Sequence, residues 1–403
     1  MRQYEILIVG AGPAGSFAAE LLATRGKSVA LFDGRPEGEP KPCGGGVTAK
    51  ALKAWPHLLD AVGRSIDELE MFSPSGRRIH LQLDEPFAIY SRRAFDTYLR
   101  DRAARAGAEI VKERISGRRI VRDDDSWSIK SADQDVEWRG RYLVGAEGAN
   151  SAIARQLAGP LPPAEMEVAF GYRAPLPPSA APTVVAFLPG WVGYAWAFPR
   201  LDHISFGIAT SQDAFAHEPL DQLLWKFMIG YYRMREDRRA KLWTSRPRDR
   251  ERDQRLRCDL ESSAERYAAR IPGLAPATWD TRRACGRDWA LLGDAAGFAD
   301  PVTGEGIYYA LRSAELFAQS FLAGEPDRYE ERWREDFGAE LQRASQMRRR
   351  FYGNFWGAPF TERMIEFARG HRGIRRVLGD LVAGHQGYVD LKRKLARSAI
   401  KPL

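Results

Sequence analysis

The sequence predicts a mixed α/β protein: a Rossmann-type nucleotide-binding domain with an inserted antiparallel β-sheet domain and a C-terminal helical region. Three observations predict this class. The chain opens with a strand, a glycine-rich turn and a helix. An apolar strand later leads into Gly293-Asp294 and a long helical pattern. Between these units, Met166 to Thr210 alternates apolar and turn residues among several prolines, which is typical of antiparallel strands.

The N-terminal turn has the pattern of a nucleotide-binding motif. A short apolar strand pattern, EILIV, runs into a G-x-G-x-x-G turn that contains Gly10, Gly12, Ala14 and Gly15. Gly10 permits the tight turn, Gly12 lets the backbone approach a pyrophosphate, and Gly15 lets helix and strand pack closely. The pattern therefore predicts nucleotide binding, and a purely structural glycine turn is the alternative.

A second strand supplies an acidic residue at the spacing that such a site needs. The run SVALF ends in Asp33, which lies 18 positions after Gly15. A carboxylate about 20 residues beyond the glycine turn binds the ribose in dinucleotide sites. NAD and FAD share this turn, so this segment leaves the choice between them open.

The segment from Gly293 to Ile307, GDAAGFADPVTGEGI, favours FAD. It follows the strand pattern WALL and precedes a helix. Asp294 would reach the ribityl hydroxyls, and the glycines would let the backbone approach the isoalloxazine. The N–H groups at the helix N-terminus would suit the negative charge of a reduced flavin. The expected cofactor-binding residues here are Gly293, Asp294, Pro301, Gly304, Gly306 and Ile307.

Two further elements agree with a flavin site. The segment YLVGAEGANS, followed by Arg155, resembles the D-G-x-x-S-x-x-x-R segment of flavoprotein hydroxylases, with Glu147 where Asp is usual. In the same relatives an arginine at the place of Arg92 reaches the FAD phosphates. Its neighbour Arg93 is the rival for that role, and a solvated surface arginine is the alternative to both.

The composition is ordinary for a folded protein and bears on where in the cell the protein is expected. The chain has 403 residues, 44% hydrophobic and 28% charged, with three scattered cysteines that form neither a disulfide framework nor a metal pattern. It shows no secretory leader and no apolar run long enough to span a bilayer. We expect a cytoplasmic protein, with peripheral contact at the inner face of the membrane as an option, and no bound metal.

The net charge of +8 has two interpretations. Much of the arginine lies in residues 233–257 and 343–350. These runs are either solvated helix faces or contacts for anionic phospholipid or a diphosphate substrate. No base-stacking or helix-turn-helix context accompanies the charge, so no nucleic-acid partner is expected.

Two motifs outside the nucleotide site narrow the function. Alternation in YAWAFP places Tyr194, Trp196 and Phe198 on one face of a strand, which suits either core packing or a wall for an elongated apolar substrate. Gly207 follows on the next apolar strand. The second motif is the Cys-Gly-Gly-Gly run that begins at Cys43, just after the second strand.

CGGG, Y-x-W-x-F-P and GDAAGFADPVTGEGI together resemble the geranylgeranyl reductases, FAD enzymes related in fold to the para-hydroxybenzoate hydroxylase group. The resemblance covers nearly the whole chain. It implies reduction of isolated C=C bonds in a polyprenyl lipid or prenyl diphosphate by hydride transfer from N5 of the reduced flavin. One departure concerns the G-x-G of many relatives, which here is Gly207-Ile208-Ala209.

The resemblance also implies roles for individual residues. Tyr194 or Trp196 would stabilise a carbon with cationic character through its π-face, and Phe198 and Gly207 would complete the substrate wall. Cys43 would donate a proton or position the chain, or simply fill space. Gly44 and Gly45 would let their loop pass close to the FAD. Only one dinucleotide turn is visible, so NAD(P)H docks transiently or another carrier, such as a ferredoxin-like protein, delivers the electrons.

Two rival functions remain at this point, and the expected domain boundaries follow from the motifs. A flavin monooxygenase or halogenase shares the FAD motifs, and a non-catalytic flavin sensor is the other rival.

We expect an FAD-binding domain of residues 1–55, 90–160 and 280–322, a substrate domain of residues 56–89 and 161–279, and a helical region of residues 323–403.

Overall fold

A computed structural model describes residues 1–36, 41, 43–123, 125–133, 135–214, 218–237, 240–355 and 357–399. Pro42, within the predicted cysteine–glycine motif, lies outside the described residues. The strands are β1 (Arg2–Val9), β2 (Val29–Phe32), β3 (Gly46–Val47), β4 (Gly63–Phe72), β5 (Arg78–Tyr90), β6 (Glu109–Val111), β7 (Ile120–Arg122), β8 (Trp127–Lys130), β9 (Glu137–Gly145), β10 (Met166–Ala174), β11 (Val184–Phe187), β12 (Trp191–Pro199), β13 (Ile204–Ala214), β14 (Glu265–Pro272), β15 (Cys285–Gly286), β16 (Trp289–Leu291), β17 (Asn354–Phe355) and β18 (Ala358–Pro359). The α-helices are α1 (Pro13–Ala23), α2 (Ala49–Ala54), α3 (Arg92–Arg105), α4 (Ala152–Leu157), α5 (Leu220–Glu236), α6 (Arg250–Ser263), α7 (Pro276–Thr281), α8 (Ile307–Leu322), α9 (Tyr329–Trp333), α10 (Ala339–Phe351), α11 (Phe360–Gly370), α12 (Arg372–Val382) and α13 (Leu391–Ala399).

The chain divides into two compact units, whereas the sequence suggested three regions. The first unit is residues 1–39, 93–166 and 270–346, and the second is residues 40–92, 167–269 and 347–403. Residues 40–55 join the second unit because β3 pairs with β5. Residues 323–346 join the first because α9 packs on α8, with the rings of Phe317 and Tyr329 5.8 Å apart.

The first unit is built on a largely parallel sheet in the order β15-β16-β9-β1-β2-β6. β1 lies between β2 and β9 and is parallel to both, and β16 is parallel to β9. The β7–β8 hairpin adds antiparallel strands beside β9. β1 ends in four successive buried residues, ILIV, as expected for a strand covered on both faces. Helices α1 and α8 pack against each other.

The second unit contains the predicted substrate sheet, in the order β14-β10-β13-β12-β11-β4-β5-β3. The pairs from β10 to β11 are antiparallel, and so are β4–β5 and β5–β3, but β11 and β4 are parallel. One face of this sheet packs on α5, whose buried residues join Phe206 and Ile208 in one apolar core.

The described C-terminal residues are mostly helical. The small β17–β18 ladder follows α10, and a non-helical stretch separates α12 from α13. Helices α11 and α12 pack on β5, and α13 packs on α12. None of the described helices is long and apolar enough to cross a membrane.

Candidate active site

Glycines shape the turn between β1 and α1. Gly10 has φ +108°, and a Cβ there would stand 2.3 Å from the carbonyl oxygen of Ala146 at the end of β9. A Cβ at Gly15 would stand 1.9 Å from the oxygen of Gly10. Gly12 is the N-cap of α1, and its helix end has no side-chain cap among the described residues. The first N–H groups of α1 are therefore suited to an external anion, as a pyrophosphate requires.

Asp33 lies where the sequence placed it, at the end of β2, and it is buried. Its Oδ2 accepts hydrogen bonds from Lys112 Nζ at 2.7 Å and Arg100 Nη1 at 2.9 Å, and its Oδ1 accepts from the backbone of Arg35. The two cations hold this carboxylate in one direction. Its contact with a ribose stays a prediction. Sequence reasoning missed both cations, which lie more than 60 residues away along the chain.

Gly293 and Asp294 form a short 3₁₀ turn between β16 and α8. Gly293 has φ +56° and donates its N–H to Ser313 Oγ on α8 at 3.0 Å. Asp294 is partly exposed, and its Oδ1 lies 3.1 Å from where a Cβ of Gly306 would stand. Gly306 is the N-cap of α8. The predicted carboxylate and the predicted helix N-terminus are therefore neighbours, although 12 residues separate them.

The loop between them is held by Asp300, which the sequence analysis did not single out. Its Oδ1 accepts from the N–H groups of Val302 at 2.7 Å and Thr303 at 3.2 Å, and it is buried. Its backbone exchanges hydrogen bonds with Glu305 and Gly304, and Gly304 has φ +69°. An Asp-Pro dipeptide is a turn signal, so this role was visible in principle. Pro301 is buried within this turn, and the buried Ile307 begins α8.

A buried arginine, Arg282, donates hydrogen bonds to the residues that follow Gly293 and Asp294. The Arg282 guanidinium donates to the carbonyls of Ala295 and Ala296 at 3.1 and 3.2 Å, and to those of Ala158 and Gly159 at 3.2 and 3.0 Å. Burial lowers the pKa of Arg282. No local pattern in TRRACG distinguishes this arginine from its exposed neighbour Arg283.

Glu147 caps a helix. Its carboxylate accepts from Ser151 Oγ at 2.5 Å and from the N–H groups of Ala152 and Ile153 at 3.1 and 3.3 Å. Burial raises the pKa of Glu147 above its ordinary value, and the hydrogen bonds oppose that rise. The longer side chain, compared with the usual Asp, still reaches the N-terminus of α4.

The aromatic residues of β12 occupy one face of the strand, as the alternation predicts. Ala195 and Ala197 are fully buried in the core against α5. On the other face, the rings of Tyr194 and Trp196 lie 5.9 Å apart, and those of Trp196 and Phe198 lie 6.5 Å apart. Tyr194 and Phe198 are half-buried, whereas Trp196 is only 5% exposed.

Trp196 is buried partly because it covers Gly207. The two residues pair across β12 and β13, and a Cβ at Gly207 would stand 2.1 Å from Trp196 Cζ2. The adjacent Gly171 on β10 is covered in the same way by Tyr267, whose hydroxyl donates to the Phe206 carbonyl at 2.6 Å. The absent side chain of Gly207 thus makes room for the indole ring. Its predicted contact with substrate stays untested.

The Cys43 loop lies on this aromatic face. A Cβ at Gly44 would stand 3.2 Å from both the Phe198 ring and Trp196 Nε1, so glycine permits the close approach. Cys43 is partly exposed, and its Sγ accepts the N–H of Gly45 at 3.3 Å. Gly45 has φ +78°. The structure therefore brings Cys43, Gly44 and two of the three aromatic residues together.

Arg200, which the sequence analysis did not consider, fixes this loop. It follows β12 and is 5% exposed. Its Nη2 donates to the carbonyls of Cys43 at 2.8 Å and Gly44 at 3.2 Å. Burial lowers the pKa of Arg200, and no described carboxylate forms an ion pair with it. The loop is thus held by an uncompensated buried cation.

Arg92 is the first residue of α3 and is buried, whereas Arg93 is exposed. The charge of Arg92 is one of the causes that lower the pKa of Arg200, so Arg92 adds to the positive potential around that guanidinium. Burial of one and exposure of the other agree with the preference for Arg92 over Arg93. Contact of Arg92 with a phosphate stays a prediction.

Comparisons with known proteins agree with this geometry. A family model described as an FAD binding domain matches residues 3–323. The geranylgeranyl diphosphate reductase of Rhodobacter capsulatus is 30% identical over 343 residues, covering 80% of this chain and 75% of that protein. The chain belongs to the geranylgeranyl reductase family of FAD-binding proteins.

Other members and folds extend the comparison. The digeranylgeranylglycerophospholipid reductase of Methanosarcina acetivorans is 26% identical over 84% of this chain and 82% of its own length. A geranylgeranyl bacteriochlorophyll reductase-like protein of Thermoplasma acidophilum superimposes with a TM-score of 0.71 at 20% identity, covering 98% and 99% of the two chains. A flavin-dependent brominase has a TM-score of 0.64 at 18% identity over 98% of each chain. These structures share the fold.

Membership of the geranylgeranyl reductase family confirms the predicted fold class and FAD as the cofactor. The glycine turn, the Gly293-Asp294 turn and the open end of α1 fit a dinucleotide. No group of three or more potential metal ligands occurs in the described part of the chain. None of these features identifies the electron donor.

Proposed function

We propose that this protein is an FAD-dependent reductase of isolated C=C bonds in polyprenyl chains, with a prenyl diphosphate or prenyl lipid as substrate. The observation that carries the proposal is the convergence of the Cys43 loop with the aromatic face of β12. A thiol and three aromatic rings provide a largely apolar surface that suits a polyprenyl chain. The relatives named as geranylgeranyl and digeranylgeranyl reductases support the same substrate class.

An isolated trisubstituted alkene is a poor hydride acceptor, so the protein must stabilise positive charge and provide a proton. When bound and reduced, FAD supplies the hydride. Tyr194 and Phe198 expose ring surface to the chain, and the Tyr194 π-face can stabilise the carbon that gains cationic character. The nearly buried Trp196 holds those rings apart and in place. The apolar face also excludes water and aligns the chain.

Cys43 is our candidate for the proton donor. Its Sγ accepts the Gly45 N–H, which leaves the thiol proton free to point away from that amide, and the side chain is partly exposed. The double bond would gain one hydride from the bound reduced flavin and one proton from the Cys43 thiol, and the thiolate would regain a proton from water. Cys43→Ala should abolish proton transfer, while Cys43→Ser retains an acceptor for Gly45 and tests the acidity of the group.

An anaerobic reoxidation experiment tests the proposal. The purified yellow protein is reduced with dithionite, geranylgeranyl diphosphate is added, and flavin absorbance and product mass are followed together. We expect reoxidation with a gain of two mass units for each bond reduced. Dithionite makes the result independent of whether NAD(P)H or a ferredoxin-like protein is the natural donor.

The same experiment separates the rival class. A flavin monooxygenase or halogenase would reoxidise only after oxygen is admitted, with the prenyl chain unsaturated as before. That result would overturn the reductase proposal. A flavin that neither dithionite nor NAD(P)H reduces would instead indicate a non-catalytic role.

A further inference from the structure

The positive charge of this protein is concentrated at its C-terminal end. Residues 347–403, which we call the C-terminal basic segment, contain 13 Lys and Arg but only four Asp and Glu. The remaining 346 residues hold 48 basic and 49 acidic residues of the chain's 61 and 53, so they are nearly neutral. Such asymmetry is typical of a surface that binds a polyanion.

The other arginine-rich run, residues 233–257, holds 11 basic and five acidic residues, and part of its charge is paired locally. Arg233 pairs with Asp253 at 2.6 Å, and Arg246 pairs with Asp249 at 2.8 Å. Arg257 pairs with Glu261 at 2.8 Å. These paired arginines suit the solvated helix faces of our first interpretation.

The C-terminal basic segment behaves differently. Five of its described arginines are exposed and have no carboxylate partner among the described residues: Arg349, Arg350, Arg369, Arg372 and Arg397. The acidic residues of the segment are few, and Asp390 already pairs with Arg393 and Lys394. The positive charge at the surface is thus left for an external partner.

Packing determines which face of α12 is exposed. The apolar residues of α12, which include Ile374, Val377 and Leu378, are buried, and the helix packs on β5. Arg372 and Arg376 are exposed. The fold therefore uses the apolar side of this amphipathic helix internally and presents its basic side outward.

Exposed apolar side chains accompany the basic ones. Phe367 on α11 is 39% exposed, and Val389, just before α13, is 61% exposed. We propose that the described part of the C-terminal basic segment is a docking surface for an anionic phospholipid bilayer. Headgroup phosphates would pair with the unpartnered arginines, and Phe367 and Val389 would enter the interface between headgroups and chains.

Vesicle sedimentation with the full chain tests the proposal. Vesicles of phosphatidylcholine alone are compared with vesicles containing three parts in ten of phosphatidylglycerol, at low and high salt. We expect capture by the anionic vesicles and loss of most binding at high salt, because the contact is electrostatic. Equal capture by both vesicle types, or by neither, would overturn the proposal. The vesicles contain no prenyl substrate, so the result does not depend on the proposed reductase activity.

Matched variants locate the surface. Arg369→Gln/Arg372→Gln/Arg397→Gln should weaken binding to the anionic vesicles by about a hundredfold, since each basic residue near such a membrane contributes about fivefold. Arg25→Gln/Arg118→Gln/Arg287→Gln removes the same charge from exposed positions in the first unit and should bind as the wild type does. An equal loss in both variants would mean that net charge, not this segment, causes the binding.

Two further readouts complete the test. Turnover of detergent-solubilised geranylgeranyl diphosphate should be unchanged in the C-terminal variant, because none of the three arginines belongs to the candidate site. Phe367→Ser should weaken vesicle binding without changing its salt dependence. Displacement of the vesicles by an equal phosphate concentration of duplex DNA would overturn the bilayer as partner and assign the surface to nucleic acid.

Discussion

Arg200 Nη2 lies 2.8 Å from the carbonyl oxygen of Cys43, and this contact fixes the loop that carries the proposed proton donor. The same nitrogen lies 3.2 Å from the Gly44 carbonyl. Arg200 holds the loop through hydrogen bonds to these two backbone carbonyls, so it is a positioning residue. Its burial without a carboxylate partner makes the guanidinium depend on these carbonyls, and the loop in turn depends on the guanidinium.

We therefore expect Arg200→Met to release the Cys43 loop. In a Cys258→Ser/Cys285→Ser background, Cys43 is the single thiol, and its rate of alkylation by iodoacetamide reports on the loop. The rate and its pH profile should change, and prenyl turnover should fall at least about tenfold because orientation of the donor is lost. Bound FAD should remain. Arg200→Lys keeps the charge but not the forked geometry, and it should give an intermediate loss.

Unaltered alkylation kinetics in Arg200→Met would show that the loop holds its conformation without the guanidinium. An Arg200→Met protein that also loses its FAD would indicate general unfolding. Thermal denaturation of the Arg200→Lys variant would then separate release of the Cys43 loop from loss of overall stability.

The aromatic face should divide into exposed and packed residues. Tyr194 is half-buried, so Tyr194→Ala should lower prenyl turnover and cost little stability. Trp196 covers Gly207, so Trp196→Ala should lower the free energy of unfolding by about 3–5 kcal/mol through the cavity it leaves. Urea denaturation measures the loss of stability in Trp196→Ala. The dependence of the rate on the concentration of prenyl substrate measures the loss of turnover in Tyr194→Ala.

Gly207→Ala is the matched test of this packing. Its methyl group would stand 2.1 Å from the Trp196 ring, which must then move. We expect lost stability in Gly207→Ala and recovery of part of it in Gly207→Ala combined with Trp196→Leu. Full stability of Gly207→Ala alone would contradict the packing described for the indole.

Local chemistry made the fold class and the glycine turns predictable. The turns at Gly10 and Gly293 carry positive φ and little room for a Cβ, so their glycines were informative without knowledge of the fold. The two-residue period of YAWAFP correctly separated alanines in the core from aromatic residues on the other face.

What the sequence did not reveal depends on partners far away along the chain. Arg282 and Arg200 are two arginines in a chain rich in them, and only burial against carbonyls marks them as special. Lys112 and Arg100 meet Asp33 through tertiary contacts of the same kind. The division between the two units at residue 346 has no turn signal in the sequence, because α10 is one uninterrupted helix there.

His203 should show a pH effect on the second unit. Burial first, and then the charge of Arg200, lowers the pKa of His203 below its ordinary value of 6.5. The unfolded chain binds a proton more readily than the folded state, so the stability contribution is present above about pH 6.5 and is lost as pH falls towards the depressed pKa. His203→Gln should remove this slope from the free energy of unfolding.

Proton NMR of the imidazoles measures the same group directly, and His203→Gln assigns its resonance among the six histidines. A His203 pKa at or above 6.5 would contradict the burial argument. Arg200→Met should raise the measured pKa, because it removes a nearby positive charge.

Asp294 should decide cofactor binding. It stands at the start of the turn beside Gly306 and the N-terminus of α8. Asp294→Ala should therefore be purified with less than about a tenth of the wild-type FAD, measured by absorbance after denaturation, since a hydrogen bond to a charged group is worth roughly 1.5–3 kcal/mol. Asp294→Asn retains a hydrogen-bond acceptor and should keep part of the bound FAD. A fully yellow Asp294→Ala protein would remove Asp294 from the cofactor site.

Asp300 provides a complementary test of how the same loop is shaped. Its Oδ1 is the acceptor for two backbone N–H groups, so Asp300→Ala leaves both without that partner, whereas Asp300→Asn keeps an oxygen in the same place. We expect Asp300→Ala to lose about 1–3 kcal/mol of stability and to weaken FAD binding, and Asp300→Asn to resemble the wild type in both. Titration of the apoprotein with FAD, followed by flavin fluorescence, measures the affinity. Equal losses in the two variants would mean that the carboxylate charge, and not its acceptor geometry, holds the turn.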